Sequence, residues 1–369
     1  MMRDSAGPVE RLLRNAVASG LAPGAVAVWN VDGESPRSAA VGHARLRPHP
    51  VSAGPDTWFD LASLTKPLVV TTLCLLAIRR GELDLAAPLA DVLPEARATE
   101  TERVTIQHLL CHSSGLPAWR PLYAMASTPD EVIGVIVRVP LEERPGTSVT
   151  YSCLDFILLG LILERLSAES LSAAFDRRIL QPLGLSAELG FRPDTNRYQI
   201  AGGAVVPAAE HVMTADHGFD PARVPATDPG APDDGNARFL GGVAGNAGLF
   251  GTARGVLTLA TEYLPGGGRL LGPDDVAAAN GVVARGGEGH VRVLGWQVAS
   301  TSGSSAGPAL SPSSIGHTGF TGTSVWVDPE RRMTLVLLTN RHHPSHHTFD
   351  LHPLRRRFHV LAVREGMRV

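Results

Sequence analysis

Lysine is almost missing from this chain of 369 residues: Lys66 stands alone against 32 arginines. Cysteine is scarce too. Cys74, Cys111 and Cys153 are the full set, and their spacing excludes a disulfide framework and a zinc-ligand signature. Aromatic residues make up only 5%. Net charge is −3 with no basic stripe, so nucleic-acid binding has no support. The longest apolar stretch, 67–78, is too short to span a bilayer and reads as a buried helix. The first twenty residues have neither the apolar run nor the small-residue cleavage site of a signal peptide. A cytoplasmic setting is therefore expected.

What is present suits a globular fold, with 44% apolar and 19% charged residues. The N-terminus patterns as an amphipathic helix with Val9, Leu12, Leu13 and Val17 on one face. A strand over 25–31, an Asp32-Gly33 turn and a return run to Val41 follow. From 66 to 205 the period is mainly helical, with segments at 105–110, 129–139, 153–166 and 171–179. The stretch 207–251 is rich in Pro, Gly, Asp and Ala and reads as a long loop, whose glycine-dense end should lie against something tightly packed. Strands are predicted again at 291–298, 314–318, 323–327 and 333–338, with a closing helix over 353–363. Strands at both ends and helices between predict one unit over 1–369. Its α/β lobe, an antiparallel sheet flanked by the terminal helices, comes from about 1–62 and 252–369. An all-helical lobe with the active-site loops comes from about 63–251, and the cleft between lobes is the natural site.

The isolated lysine carries the chemistry. Arginine supplies charge as well as lysine does, but it is a planar fork that does not readily lose its proton. A position that keeps lysine here needs a titratable amine or a compact ammonium. Ser63 lies three residues earlier, on the same face of a helix. A hydroxyl beside an amine in a shielded site is an activated nucleophile. Pro67 is tolerated only in a first helical turn, so the helix begins close to Ser63 and leaves its hydroxyl near the positive end of the dipole.

Two further segments fit: Val149-Thr150-Tyr151-Ser152-Cys153, opening a helix, and Gly316-His317-Thr318-Gly319-Phe320 at a strand. With Ser63-Leu64-Thr65-Lys66, they make the chain resemble the serine β-lactamase-related hydrolases, a superfamily of class C β-lactamases, D-Ala-D-Ala carboxypeptidases, D-amino-acid peptidases and lactamase-like esterases. The three elements stand in the family's order, at intervals of 88 and 166 residues, and the resemblance runs from about 20 to 345.

The resemblance implies a β-lactamase/transpeptidase-like α/β (α+β) fold. It implies Ser63 as nucleophile, Lys66 as its neighbouring amine and Tyr151 as base. The oxyanion hole would be the backbone N–H groups of Ser63 and Phe320. Cys153, His317, Thr318 and Gly319 would contact substrate.

Two positions depart from the family pattern. Cys153 stands where asparagine or aspartate is expected, and a thiol hydrogen-bonds poorly. His317 replaces lysine and is mostly neutral at pH 7, which weakens the expected grip on a substrate carboxylate. The expectation is a serine hydrolase working through an acyl-enzyme on Ser63, cleaving esters or amides of small molecules or peptidoglycan-like fragments. It is expected to act on a small-molecule substrate with no metal or cofactor, to bind no nucleic acid and to have no membrane span. A true β-lactamase or D-Ala-D-Ala carboxypeptidase is the alternative within enzymes. A catalytically degenerate binding protein on the same fold is the alternative outside them.

Other polar residues read more plainly. His342, His343, His346, His347 and His352 are expected in a surface loop. His112 reads as a turn or helix-end residue. Asp233 and Asp234 would pair with Arg238 or be solvated, and Cys74 belongs to the core.

Overall fold

The computed structural model describes residues 6–367 except 206, 229 and 346–348. Its centre is a nine-stranded antiparallel sheet. The first strands are β1 (Gly24–Val31), β2 (Arg37–Arg45) and β3 (Val51–Ser52). A separate three-stranded sheet is formed by β4 (Phe59–Asp60), β5 (Leu189–Phe191) and β6 (Leu249–Gly251). The large sheet then resumes with β7 (Ala284–Arg285), β8 (Val291–Val293), β9 (Trp296–Val298), β10 (Ile315–Thr318), β11 (Ser324–Asp328) and β12 (Met333–Thr339). Its strand order is β3-β2-β1-β12-β11-β10-β9-β8-β7. The β1–β12 ladder, from Ala25 opposite Thr339 to Val31 opposite Met333, closes the chain's two ends into one layer.

Both faces of that sheet are covered, so β1 and β12 carry apolar residues on both faces rather than alternating with polar ones. Ala25, Ala27 and Trp29 of β1, with Met333, Leu335 and Leu337 of β12, join Val9, Leu13 and Phe358 of the terminal helices Pro8–Ala18 and His352–Gly366 in one core. Val26, Val28, Val336 and Leu338 face the other way, into the larger core shared with the helical region. Truncating a residue such as Leu337 to alanine would cost about 2–5 kcal/mol of stability.

Three departures from the sequence reading have local causes. The predicted strand 291–298 is a hairpin, because Gly295 at φ +74° allows a two-residue turn between Val293 and Trp296. The region read as all-helical also carries β5 and β6 of the three-stranded sheet, strands too short to show a period. The supposed loop 207–251 contains helices Ala208–Asp216 and Gly235–Phe239, the second N-capped by Asp234 through Ala237 N–H at 2.7 Å. The apolar segment Ala62–Arg79 has the length and composition of a membrane span, yet 83% of it is buried inside the protein. Cys74 lies within it, fully buried.

Candidate active site

The chain presents Ser63 through a strained turn. Ala62 has φ +49°, a left-handed conformation that non-glycine residues rarely adopt, and its N–H donates to Asp60 Oδ1 at 2.8 Å. A 3-10 turn, Ala62–Leu64, leads into a π-helical segment, Lys66–Thr71, and then the α-helix Thr72–Arg79. Pro67 sits in the first turn of the π segment, where its missing N–H costs no bond.

Lys66 is fully buried and its ammonium meets three acceptors: Ser63 Oγ at 3.2 Å, Asn246 O at 3.0 Å and Cys153 Sγ at 3.6 Å. Burial alone would pull Lys66 below its ordinary value. The charge that Cys153 and Tyr151 can carry, with that of Asp234, outweighs burial, and the net shift is upward. Burial raises the Cys153 thiol by more than Lys66 lowers it, so it rests neutral.

Tyr151 donates its hydroxyl to Ser63 Oγ at 2.8 Å. It lies two residues before the helix Cys153–Ser167, whose N-cap Ser152 accepts from Leu154 N–H at 3.2 Å and donates to Pro117 O at 2.7 Å. His112 packs beside the phenol with ring centroids 4.7 Å apart. It is a turn residue, at φ +56°, and also an interior support. Its Nδ1 accepts Ser152 N–H at 3.1 Å and lies 3.2 Å from Asp155 Oδ2, while Ser114 Oγ donates to Asp155 Oδ1 at 2.5 Å. Burial pushes His112 well down and Asp155 well up, so their contact joins neutral groups rather than an ion pair. Burial also raises the Tyr151 phenol. The Lys66 ammonium pulls it back, and the net remains upward.

The third motif arrives on β10. His317 is 3% exposed, its Nδ1–H donates to Thr318 O at 2.9 Å, and its ring is 5.8 Å from that of Tyr151. Burial, then the charges of Arg292 and Lys66, hold His317 well below the usual histidine range. The following turn, 319–323, is fastened to the segment before Ser63. Thr321 Oγ1 donates to Asp60 O at 2.8 Å and Thr323 Oγ1 to Leu61 O at 3.2 Å. Gly319 is required there, since a Cβ would stand 2.7 Å from Leu61 O. Ser63, Tyr151, Cys153, His317, Thr318, Gly319 and Phe320 thus share one cavity of about 550 Å³, with Lys66 buried beneath Ser63.

Several neighbours were not singled out from sequence. Arg292 on β8 lines the cavity, with its guanidinium carbon 5.4 Å from the Tyr151 ring centroid and Nη1 buried without a hydrogen-bond partner among the described residues. Among 32 arginines it carried no distinguishing signal. Asn246 did have one, in the glycine-dense run around it. Gly245 packs on the helix Cys153–Ser167 so tightly that a Cβ would fall 1.8 Å from Phe156 O, and this contact delivers Asn246 O to Lys66. Arg238 pairs with Glu210 at 2.5 Å rather than with the aspartates. Asp233 is buried, and Asp234 accepts from Asn246 Nδ2 at 3.1 Å. His342 and His343 are buried as well, contrary to the expected surface loop. His343 is fixed by Leu46 N–H at 2.8 Å and Gly203 O at 3.0 Å. His346 and His347 lie outside the described residues.

The beta-lactamase family model matches residues 9–358. The chain belongs to the beta-lactamase family. An N-acetylmuramyl-L-alanine amidase of Bacillus subtilis (strain 168) is 28% identical over 369 aligned residues, covering 91% of this chain and 80% of that protein. A solved structure described as EstCE1, a hydrolase with promiscuous acyltransferase activity, superposes with a TM-score of 0.75 at 23% identity, over 96% of this chain and 97% of that one. A β-lactamase/D-alanine carboxypeptidase from Pseudomonas syringae gives 0.74 at 19% identity, over 98% of each. The two structures share the β-lactamase/transpeptidase-like fold. The chain is accordingly a serine hydrolase of this superfamily.

Proposed function

We propose that the protein cleaves an ester or amide of a small molecule or peptidoglycan-like fragment through an acyl-enzyme on Ser63. One observation carries the reading: Ser63 Oγ, at the cavity floor, is met by both Lys66 Nζ at 3.2 Å and Tyr151 OH at 2.8 Å. The resting arrangement is fully protonated, with an ammonium and a phenol both donating to the serine. Reaction starts from the form with one proton fewer, in which the Tyr151 oxygen takes the Ser63 proton as Oγ attacks the carbonyl carbon. Lys66 stabilises that phenolate. The backbone N–H groups of Ser63 and Phe320, held by the fastened 319–323 turn, face the developing oxyanion. Tyr151 returns its proton to the leaving group. Water then repeats the attack on the acyl-enzyme, with the same oxygen as base.

Arg292 changes the substrate expectation drawn from His317. Histidine there is neutral, but a guanidinium with an unpartnered donor lies in the same cavity. It offers an anionic group of the substrate the cation that position 317 lacks.

The test is intact-mass analysis after incubation with a fluorophosphonate, a penicillin and a short p-nitrophenyl ester. One adduct per chain is expected in the parent, and none with Ser63→Ala. Equal labelling of the two would remove Ser63 as nucleophile. A folded parent inert to all three probes would favour the degenerate binding protein.

A further inference from the structure

Asp60 is buried, contributes no surface to the cavity and has no step in the reaction above. Its side chain nevertheless joins two separate pieces of the site. Oδ1 accepts the N–H of Ala62 and Oδ2 the N–H of Asp233, each at 2.8 Å, while its backbone carbonyl accepts Thr321 Oγ1 at 2.8 Å. The turn carrying Ser63, the cavity wall at 233–234 and the turn carrying Phe320 therefore converge on this one residue. The bond to Ala62 spans two residues, the local pattern by which an aspartate side chain organises a turn. That turn is the one place beside Ser63 where the backbone is in an unfavourable region, Ala62 at φ +49°. Burial, then the neighbouring Asp233, push Asp60 up to about 7; in its ionised form, dominant above that pH, the carboxylate accepts from both N–H groups. An amide has one acceptor oxygen and would set its NH2 against the other N–H.

We propose that Asp60 is a positioning residue: its carboxylate holds Ala62 left-handed and ties it to Asp233, so that Ser63 Oγ sits where both Lys66 and Tyr151 reach it. The inference rests on Ser63 being the nucleophile. It acts through backbone geometry alone, and this separates it from an ordinary structural contact. If the carboxylate's task is to support a positive φ at residue 62, a residue that adopts positive φ unaided makes the support dispensable. Glycine is that residue.

The experiment follows Ser63 labelling by a fluorophosphonate, and single turnovers of a p-nitrophenyl ester, in the full chain. Asp60→Asn should slow both by about 10- to 100-fold, the range expected of a small misplacement of a reacting atom, with KM near that of the parent. In the Ala62→Gly background the same Asp60→Asn change should cost less than about threefold, because the backbone no longer needs holding. An equal penalty in both backgrounds, or a parent rate for Asp60→Asn, overturns the proposal. Should Asp60→Asn fail to fold, Ala62→Val carries the test. A β-branched residue resists the left-handed region, so labelling should slow in a chain whose circular dichroism is unchanged, and a parent rate there overturns it too. Absence of any Ser63 adduct in the parent is a different failure, that of the nucleophile assignment itself.

Discussion

Two cations approach the ring of Tyr151, and they are provided for differently. Lys66, on the helix that follows Ser63, stands 4.9 Å from the ring centroid and has an acceptor for each of its three N–H bonds. Arg292, on the sheet, stands at 5.4 Å and has a buried Nη1 with no acceptor among the described residues. Leaving a buried charged donor unmet is costly, and proteins rarely tolerate it without a use. Lys66, with its donors all engaged inside the chain, is the one that the proposed mechanism uses for proton transfer. Arg292, with a donor still open, is the one it offers to something that arrives from outside. On the function proposed above, the site divides between a reaction side built on the helical region and a recognition side built on the sheet.

The strongest way to break that division is Lys66→Arg. The guanidinium keeps the charge but spreads its donors over a plane, and it does not lend itself to losing a proton. It cannot set three acceptors around one nitrogen at 3.0–3.6 Å. Turnover should fall by about 10²- to 10⁴-fold, the usual worth of a proton-transfer group, with the fold retained by circular dichroism. Near-parent turnover would reduce Lys66 to a plain counter-charge and erase its difference from Arg292.

Arg292→Gln should behave otherwise. A hydrogen bond to a charged group contributes roughly 1.5–3 kcal/mol, or about one to two decades in binding. KM for an anionic substrate, such as a penicillin or a peptide with a free carboxylate, should rise about 10- to 100-fold relative to a neutral ester measured in parallel. Equal changes for both substrates would place Arg292 on the reaction side, acting on Tyr151 alone.

This asymmetry follows what was legible in the sequence. The reaction side was readable because its parts lie close along the chain or in short marked runs: Ser63 and Lys66 one helical turn apart, and Tyr151 at a helix start. Asn246 was hinted at by the glycines that let its segment approach the helix Cys153–Ser167. The β1–β12 closure was readable from apolar strands at both ends. Arg292, Asp60 and the His112–Asp155 support were not readable as site residues. Their roles come from tertiary placement, and arginine or aspartate in an arginine-rich chain carries no local mark. The small sheet escaped for a similar reason, since two- and three-residue strands have no period to detect.

Cys153→Asn sharpens the reaction side from within. The structure puts residue 153 beside Lys66, where asparagine would accept from the ammonium better than a neutral thiol 3.6 Å away. Acylation of Ser63 should rise roughly tenfold, with Cys153→Ala near the parent. Single-turnover kinetics with one ester decide it. Loss of activity in both variants would show that the thiol itself takes part.

The smallest effect expected concerns pH, and it tests whether His317 belongs to either side as a charge. Tyr151 is raised above its ordinary value, chiefly by burial, so its phenolate fraction is small at neutrality and grows as pH increases. If that oxygen is the base, kcat/KM should still climb between about pH 7 and 9. His317 is held well below the usual histidine range, so it is already neutral at the start of this climb and stays so. Its replacement in His317→Asn should leave the shape of the profile superimposable on the parent's, whatever it does to the absolute rate. A limb near the ordinary histidine pKa that vanishes in the variant would mean that His317 titrates in the working enzyme. Position 317 would then supply a cation below that limb, and would share with Arg292 the holding of a substrate anion.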